Sequence, residues 1–242
     1  MGLSIQSVFQ SVFQSAVSML LPRDCFLCGA ACEDVFLCAD CSTRLPTLPA
    51  QCCPVCALPT PMAEVCGACL QHAPHFDATH ALWRYDFPID KLVQSIKYSH
   101  RLSSVDFFAQ AMAQLLEKTT TRPLPDWVLP VPLSAERLRE RGFNQSVELA
   151  RPLARALGVP LELHAVQRPR HTAPQAGLPW KERAKNIRHA FECLTDFSGK
   201  TVLVIDDVMT TGATLNELAR VLKMHGAVRV ENCVVARTLK DD

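Results

Sequence analysis

The chain has 242 residues, 48% hydrophobic and 20% charged, with 17 Pro and 9 Gly, room for one full domain and a small one and neither disordered nor collagen-like. Lys+Arg (25) and Asp+Glu (24) nearly cancel, which excludes a polycation. No run of the roughly 18 apolar residues needed for a membrane helix occurs. The outlying count is 12 Cys, most of them in the first third of the chain.

Residues 1–23 place Ile5, Val8, Phe9, Val12, Phe13, Val17 and Leu20 on one stripe, with Ser and Gln opposite. That spacing predicts an N-terminal amphipathic helix packed on its own protein. Residues 1–22 hold no basic residue, so the segment lacks the n-region of a signal peptide and the cationic flank of a membrane-surface helix. A cytoplasmic setting is expected, where thiols stay reduced and metal binding is favoured over disulfides.

Residues 24–76 form a Cys- and Pro-rich module without long periodic runs. From 77 onward the pattern changes. Residues 77–87 predict a strand, 88–100 and 104–118 helices, and 126–131 a short strand followed by a polar loop. Residues 145–158 predict a helix stopped by Gly158, 201–205 a β-branched strand, 214–226 a helix stopped by Gly226, and 228–237 a closing strand. Strands alternating with helices predict an α/β domain with a parallel sheet over 77–242.

The cysteines repeat. Cys25, Cys28, Cys38 and Cys41 each recur 28 positions later, as Cys53, Cys56, Cys66 and Cys69. Both units read C-x2-C-x9-C-x2-C, a duplicated module. Two C-x2-C turns aim four soft thiolates at one tetrahedral ion, and a segment this short needs that metal to fold. Two structural zinc sites are expected, with rubredoxin-like iron the main competitor. Closed four-cysteine sites leave no open position for a substrate. Cys52 could replace Cys53, although the repeat favours Cys53. Cys32 has no counterpart, and His72 and His75 are weaker alternative ligands. Cys193 and Cys233 lie in apolar contexts that suit buried inert thiols. Residues 24–76 carry five acids (Asp24, Glu33, Asp34, Asp40, Glu64) against Arg44, so the module suits protein contacts better than phosphate backbones.

The strongest chemical signal is VLVIDDVMTTGATL, residues 202–215. A buried strand ends at Asp206 and Asp207, a loop carries Thr210, Thr211, Gly212, Ala213 and Thr214, and a helix begins. The first helical N–H groups and the helix dipole favour an anion there. The acids suit neutral hydroxyls or a divalent cation. Phosphate and diol side by side describe a ribose 5-phosphate. A solvated turn at a strand end is the plainer reading of the paired acids, and the order strand, acids, Thr-Thr-Gly, helix argues against it.

This stretch resembles the phosphoribosyl-pyrophosphate (PRPP) motif of type I phosphoribosyltransferases. With the cysteine-rich front end, the chain resembles the ComF family (competence protein F, GntX-like), in which a double zinc ribbon precedes such a domain. LVQSIKY at 92–98, RLRERGFNQS at 137–146, HTAPQAGL at 171–178 and ERAKNIRHAF at 182–191 match the same pattern. The resemblance implies a Rossmann-like phosphoribosyltransferase domain over 77–242 behind a double zinc ribbon over 24–76. It also implies Mg2+ held with PRPP, and Val208 to Thr214, with Met209 among them, as the PRPP-binding segment. It implies a mobile hood containing Thr172, Gln175, Arg183 and Asn186, and a link to DNA uptake or DNA utilisation.

Residues 136–188 hold eleven basic residues against five acids. Most read as solvated helix faces, Arg151, Arg155 and Arg188 among them. Arg137 and Arg141 follow the strand end at Val131-Pro132, where the resemblance implies the pyrophosphate loop, and arginine forks suit pyrophosphate oxygens. With Asp206 and Asp207 they form the expected catalytic set. His164, His189 and His225 form no triad.

Three functions compete: a PRPP-using transferase, a nucleic-acid-handling protein of DNA uptake that holds PRPP or single-stranded DNA, and a non-catalytic PRPP sensor whose ribbon recruits DNA-uptake proteins. For stacking on single-stranded DNA the nearest aromatics are Trp83, Tyr85, Phe143 and Trp180.

Overall fold

The computed structural model describes residues 23–32, 36–98, 102–119, 123–169 and 187–239. The predicted N-terminal helix therefore lies outside the described residues, except for Arg23. By compactness the chain divides into two units, 1–45 and 46–242.

In the first unit, β1 (Arg23–Asp24) pairs antiparallel with β2 (Ala31–Cys32), and α1 (Ala39–Thr43) follows. Gly29, at φ +70°, turns the chain back between the two strands, a conformation that costs glycine no Cβ clash. Its N–H donates to Cys25 O at 2.9 Å. Phe26 stacks on Phe36 at 5.2 Å, and Leu37 and Leu45 are buried. Such a small apolar cluster leaves much of the stabilisation to a bound metal.

The second unit opens with the same knuckle. Ala57 takes the place of Gly29 at φ +58°, its N–H donating to Cys53 O at 2.9 Å. Helix α2 (Gly67–Gln71) stands 28 positions after α1, so the repeat in the sequence is a repeat of structure. Here, however, Cys53, Cys56 and Cys69 belong to the main apolar core, with Phe76, Met209, Leu215 and Leu218. Composition changes near residue 76, whereas compactness changes at 45/46, because Cys53, Cys56, Cys69 and Phe76 pack into the core of the α/β unit.

That unit is built on a four-stranded parallel sheet. In spatial order the strands are β3 (Ala78–Arg84), β8 (Arg229–Arg237), β7 (Thr201–Met209) and β4 (Trp127–Pro130). The predicted α/β class is the observed one. Between β3 and β4 run α3 (Ile89–Tyr98) and α4 (Leu102–Thr119). After β4 come α5 (Ala135–Arg141) and α6 (Gln145–Leu157), and α7 (Ala213–Met224) joins β7 to β8. The β3-to-β4 and β7-to-β8 crossovers run in opposite directions along the sheet, so right-handedness places their helices on opposite faces. Strand β7 shows the alternation: Val202 and Val204 join the cluster with Leu215 and Leu218 of α7, and Leu203 and Ile205 are buried on the other side.

Three features depart from the sequence reading. The polar loop after β4 contains α5, capped by Ser134, whose hydroxyl accepts from Arg137 N, and closed by Gly142 at φ +79°. AERLRER has no apolar stripe, and its single Leu138 stays 45% exposed, so periodicity gave no signal. Strand β7 does not end at the paired acids but continues to Met209, because β8 offers partners as far as Arg237. A small antiparallel pair, β5 (Val166–Gln167) with β6 (Glu192–Cys193), was not anticipated. Cys233 is fully buried as expected, and burial pushes its thiol pKa up; Cys193 is only half-buried.

Candidate functional site

The carboxyl ends of β4 and β7 lie side by side, since Pro130 pairs with Ile205. In open α/β sheets ligands bind in this position. From β7, Asp206 and Asp207 lead through Val208 and Met209 into the loop 210–212 and the first turn of α7. Gly212, at φ +78°, is the N-cap and offers no side-chain cap. Thr211 Oγ1 accepts from Ala213 N at 3.1 Å, while α-helix geometry leaves the next N–H groups without intrahelical partners. A cavity of about 30 Å³ opens here, lined by Asp206, Val208, Met209, Thr210, Gly212, Ala213, Thr214 and Leu215. Asp206 and the helix N-terminus thus border one space. Thr211 and Asp207 do not line it; Thr211 lines a second cavity instead, of about 470 Å³, beside Cys56, Cys69, His72, Phe76 and Arg237.

Asp206 is oriented from two sides. Its Oδ1 accepts from Asp207 N at 3.0 Å and from Ser146 Oγ at 2.9 Å. Ser146 opens α6, where Asn144 Oδ1 caps its N–H at 3.0 Å, and Asn144 Nδ2 donates to Val131 O at 2.9 Å. The segment RGFNQS therefore ties the end of β4 to the carboxylate of β7. Asp207 Oδ1 accepts from Val208 N at 2.8 Å.

Of the expected arginines, Arg137 is half-buried on α5, 3.8 Å from Glu140. Arg141 Nη1 donates to the buried Gln145 at 3.1 Å. Arg168, beyond β5, completes a charged group that the sequence did not single out. Burial lowers its pKa, Asp206 raises it and Arg137 lowers it, so Arg168 interacts electrostatically with both. Its guanidinium lies 5.7 Å from the Phe191 ring centroid. The expected hood residues Thr172, Gln175, Arg183 and Asn186 lie outside the described residues.

The two cysteine sets come together as the repeat predicts. Within each, the four Sγ atoms lie within 4.8 Å of one another. Cys28 and Cys38 Sγ are 3.8 Å apart, and Cys56 and Cys66 Sγ 3.6 Å. Tetrahedral zinc with 2.3 Å bonds needs an edge of about 3.8 Å, so both sets fit the ion. Cys38 N donates to Cys25 Sγ at 3.4 Å, and Cys66 N to Cys53 Sγ at 3.3 Å. Burial opposes ionisation of Cys25 and Cys53, but backbone N–H groups outweigh it, from Cys38 and Cys66 foremost, and bring these thiols down to about 6 and about 7. Burial pushes Cys56 up to about 11. Cys52 stands outside the second set, its thiol donating to Pro49 O at 3.2 Å, and Cys32, His72 and His75 join neither.

Comparisons with known proteins agree with this architecture. A double zinc ribbon model matches residues 16–70, and a phosphoribosyl transferase domain model matches 144–241. The DNA utilization protein YhgH of Shigella flexneri is 34% identical over 231 residues, covering 91% of this chain and 100% of that protein. Competence protein F of Haemophilus influenzae is 32% identical over 185 residues, covering 72% and 79%. The chain belongs to the ComF family. A more distant member, competence protein ComFC of Bacillus subtilis, is 27% identical and covers 80% of each chain. Among solved structures, a purine phosphoribosyltransferase from Pyrococcus horikoshii Ot3 shares 22% identity at a TM-score of 0.35, covering 55% of this chain and 82% of its own.

For a ComF-family chain, one aromatic proposed for stacking on single strands is poorly placed. Trp83 is 8% exposed and clusters with Phe107 and Phe108, whereas Tyr85 and Phe143 are half-buried. Trp180 lies outside the described residues. No described helix is long and apolar enough to cross a membrane.

Proposed function

We propose that residues 206–214 bind PRPP, the α7 N-terminus taking its 5-phosphate and Asp206 and Asp207 its ribose hydroxyls. The observation that carries this reading is the shared cavity, which Asp206 borders together with Thr210, Gly212, Ala213 and Thr214 at the start of α7. An anion and a diol on one small molecule satisfy both at once. Arg168, within electrostatic reach of Asp206 and of Arg137, suits the pyrophosphate together with Arg137. Hard carboxylate oxygens fit Mg2+, which keeps several waters and shares its ligands with substrate phosphates. When bound, the ion would neutralise charge on the departing pyrophosphate.

The reaction this arrangement would run is transfer of the phosphoribosyl group to a base nitrogen. The bond from C1 to pyrophosphate breaks as the nitrogen lone pair bonds to C1, and the nitrogen's proton leaves to solvent or pyrophosphate. The chain's residues hold the sugar, orient its anomeric carbon and stabilise negative charge, and none serves as a nucleophile. Relatives named for DNA utilisation and competence support a role for this chemistry in DNA uptake or use, and the two four-cysteine sets support two structural zinc ions; we read the protein as cytoplasmic.

The test is thermal stabilisation by Mg-PRPP, measured for the wild type, Thr214→Ala and Asp206→Asn. Saturating ligand should raise the wild-type Tm by several degrees, and both variants should lose most of the shift. An unshifted wild type rejects the reading. Pyrophosphate release with a panel of bases separates a transferase from a PRPP sensor. Tight, strongly salt-dependent binding of single-stranded DNA without any PRPP response would favour the nucleic-acid reading instead.

A further inference from the structure

Arg237 ends β8 with its side chain 2% exposed, the largest fully buried side chain described. Its guanidinium donates to backbone carbonyls of three segments. Nε reaches Cys56 O at 2.9 Å, in the second cysteine knuckle. Nη1 reaches Met209 O at 3.0 Å, Thr238 O at 2.8 Å and also Thr210 O. One buried cation therefore ties the metal knuckle to the strand end and loop that form the anion site. Thr238 N closes the same ring on Met209 O at 3.0 Å.

A buried guanidinium is costly unless negative charge compensates it. Burial lowers the pKa of Arg237, and the groups that raise it are Cys56, Cys69 and Cys66. With four thiolates on one dication, the set carries two net negative charges in the same core. The first cysteine set lies in the other compact unit, 1–45. The larger cavity is bordered by Cys56, Cys69 and Arg237 together with Thr211 and Gly212. Apolar packing through Phe76 and Met209 and the His75 N bond to Asn216 Oδ1 also join the two sides, but Arg237 is the side chain that hydrogen-bonds both the knuckle and the strand end.

We propose that Arg237 is a positioning residue through which metal at the second cysteine set, and not at the first, holds the 206–214 segment in its anion-binding shape. Metal loss would free the 53–58 knuckle, withdraw Cys56 O and the compensating charge from Arg237, and release Met209 and Thr210. The consequence for ligand rests on the reading of this loop as the PRPP site; the coupling itself does not.

The test uses the full chain and hydrogen exchange of the 206–216 segment. Cys56→Ser and Cys28→Ser should each lower zinc from two ions to one per chain. Exchange at 206–216 should quicken at least tenfold in Cys56→Ser and stay at the wild-type rate in Cys28→Ser, with α3 unchanged in both. Arg237→Met should keep both zinc ions yet loosen the same segment. Should Met not be tolerated there, Arg237→Lys keeps the charge, but a single ammonium cannot span Cys56 O and Met209 O, and the same loosening is expected. Mg-PRPP binding should weaken tenfold or more wherever the segment loosens. Wild-type exchange at 206–216 in Cys56→Ser or in the Arg237 variants, or equal loosening by Cys28→Ser, overturns the coupling. A wild type that ignores Mg-PRPP but shows the expected exchange pattern rejects the PRPP reading and leaves the coupling standing.

Discussion

In the proposed site the direction of the Asp206 carboxylate matters, and Ser146 donates to it at 2.9 Å. A hydrogen bond to a charged group contributes about 1.5–3 kcal/mol. Ser146→Ala should therefore weaken Mg-PRPP binding roughly tenfold or more, read by titration calorimetry. A second carboxylate governs acid stability. The His80 side chain, against the opposing effect of burial and with help from Arg229, holds Glu231 well below the usual 4.5, at about 2. Because the folded value is depressed, its contribution is complete above about 4.5 and is lost as pH falls toward 2. Glu231→Gln should flatten denaturation midpoints over that window, by about 1–3 kcal/mol; an unchanged slope would show the pair is idle. Neither Ser146 nor Arg237 stood out in the sequence, because an ordinary Ser and a strand-end Arg carry no pattern until the fold brings their partners to them from about 60 and 180 residues away.

Helix α7 and the loop before it were legible because a β-branched run, two acids, Thr-Thr-Gly and an amphipathic helix each announce themselves locally. Gly212 is required by its φ of +78°; the Met209 Cε that a Cβ would meet at 2.6 Å is the tip of a flexible side chain that can move aside. Gly212→Ala should cost about 1–2 kcal/mol in urea melts and lose the PRPP-dependent shift. Gly226 is confined, since a Cβ would meet the Ser198 backbone at 2.7 Å, and it ends α7 as its sequence position predicts. Helix α5 escaped notice because its stability comes from its caps, Ser134 and Gly142, and not from an apolar face. The reach of β7 beyond Asp206 escaped for a different reason: ladder length is decided by the neighbouring strand, here β8.

At the scale of the molecule, one duplicated motif has two fates. Its first copy sits in the 1–45 unit and its second in the core of the 46–242 unit. A fragment of residues 46–242 should therefore fold alone, melt cooperatively and carry one zinc ion, measured by metal analysis and calorimetry. A fragment that begins after the second set, at residue 77, should expose Phe76's former contacts and aggregate. The sequence alone determined the two cysteine clusters, the parallel α/β class and the strand–acid–Thr-Thr-Gly–helix segment read as an anion loop, because each rests on spacing along a short stretch of chain. Tertiary structure decided which cysteine set shares a core with the anion loop, which serine steers Asp206 and which arginine is buried between knuckle and loop. Those outcomes depend on contacts between segments far apart in the chain, and such contacts exist only once the sheet has set its strand order.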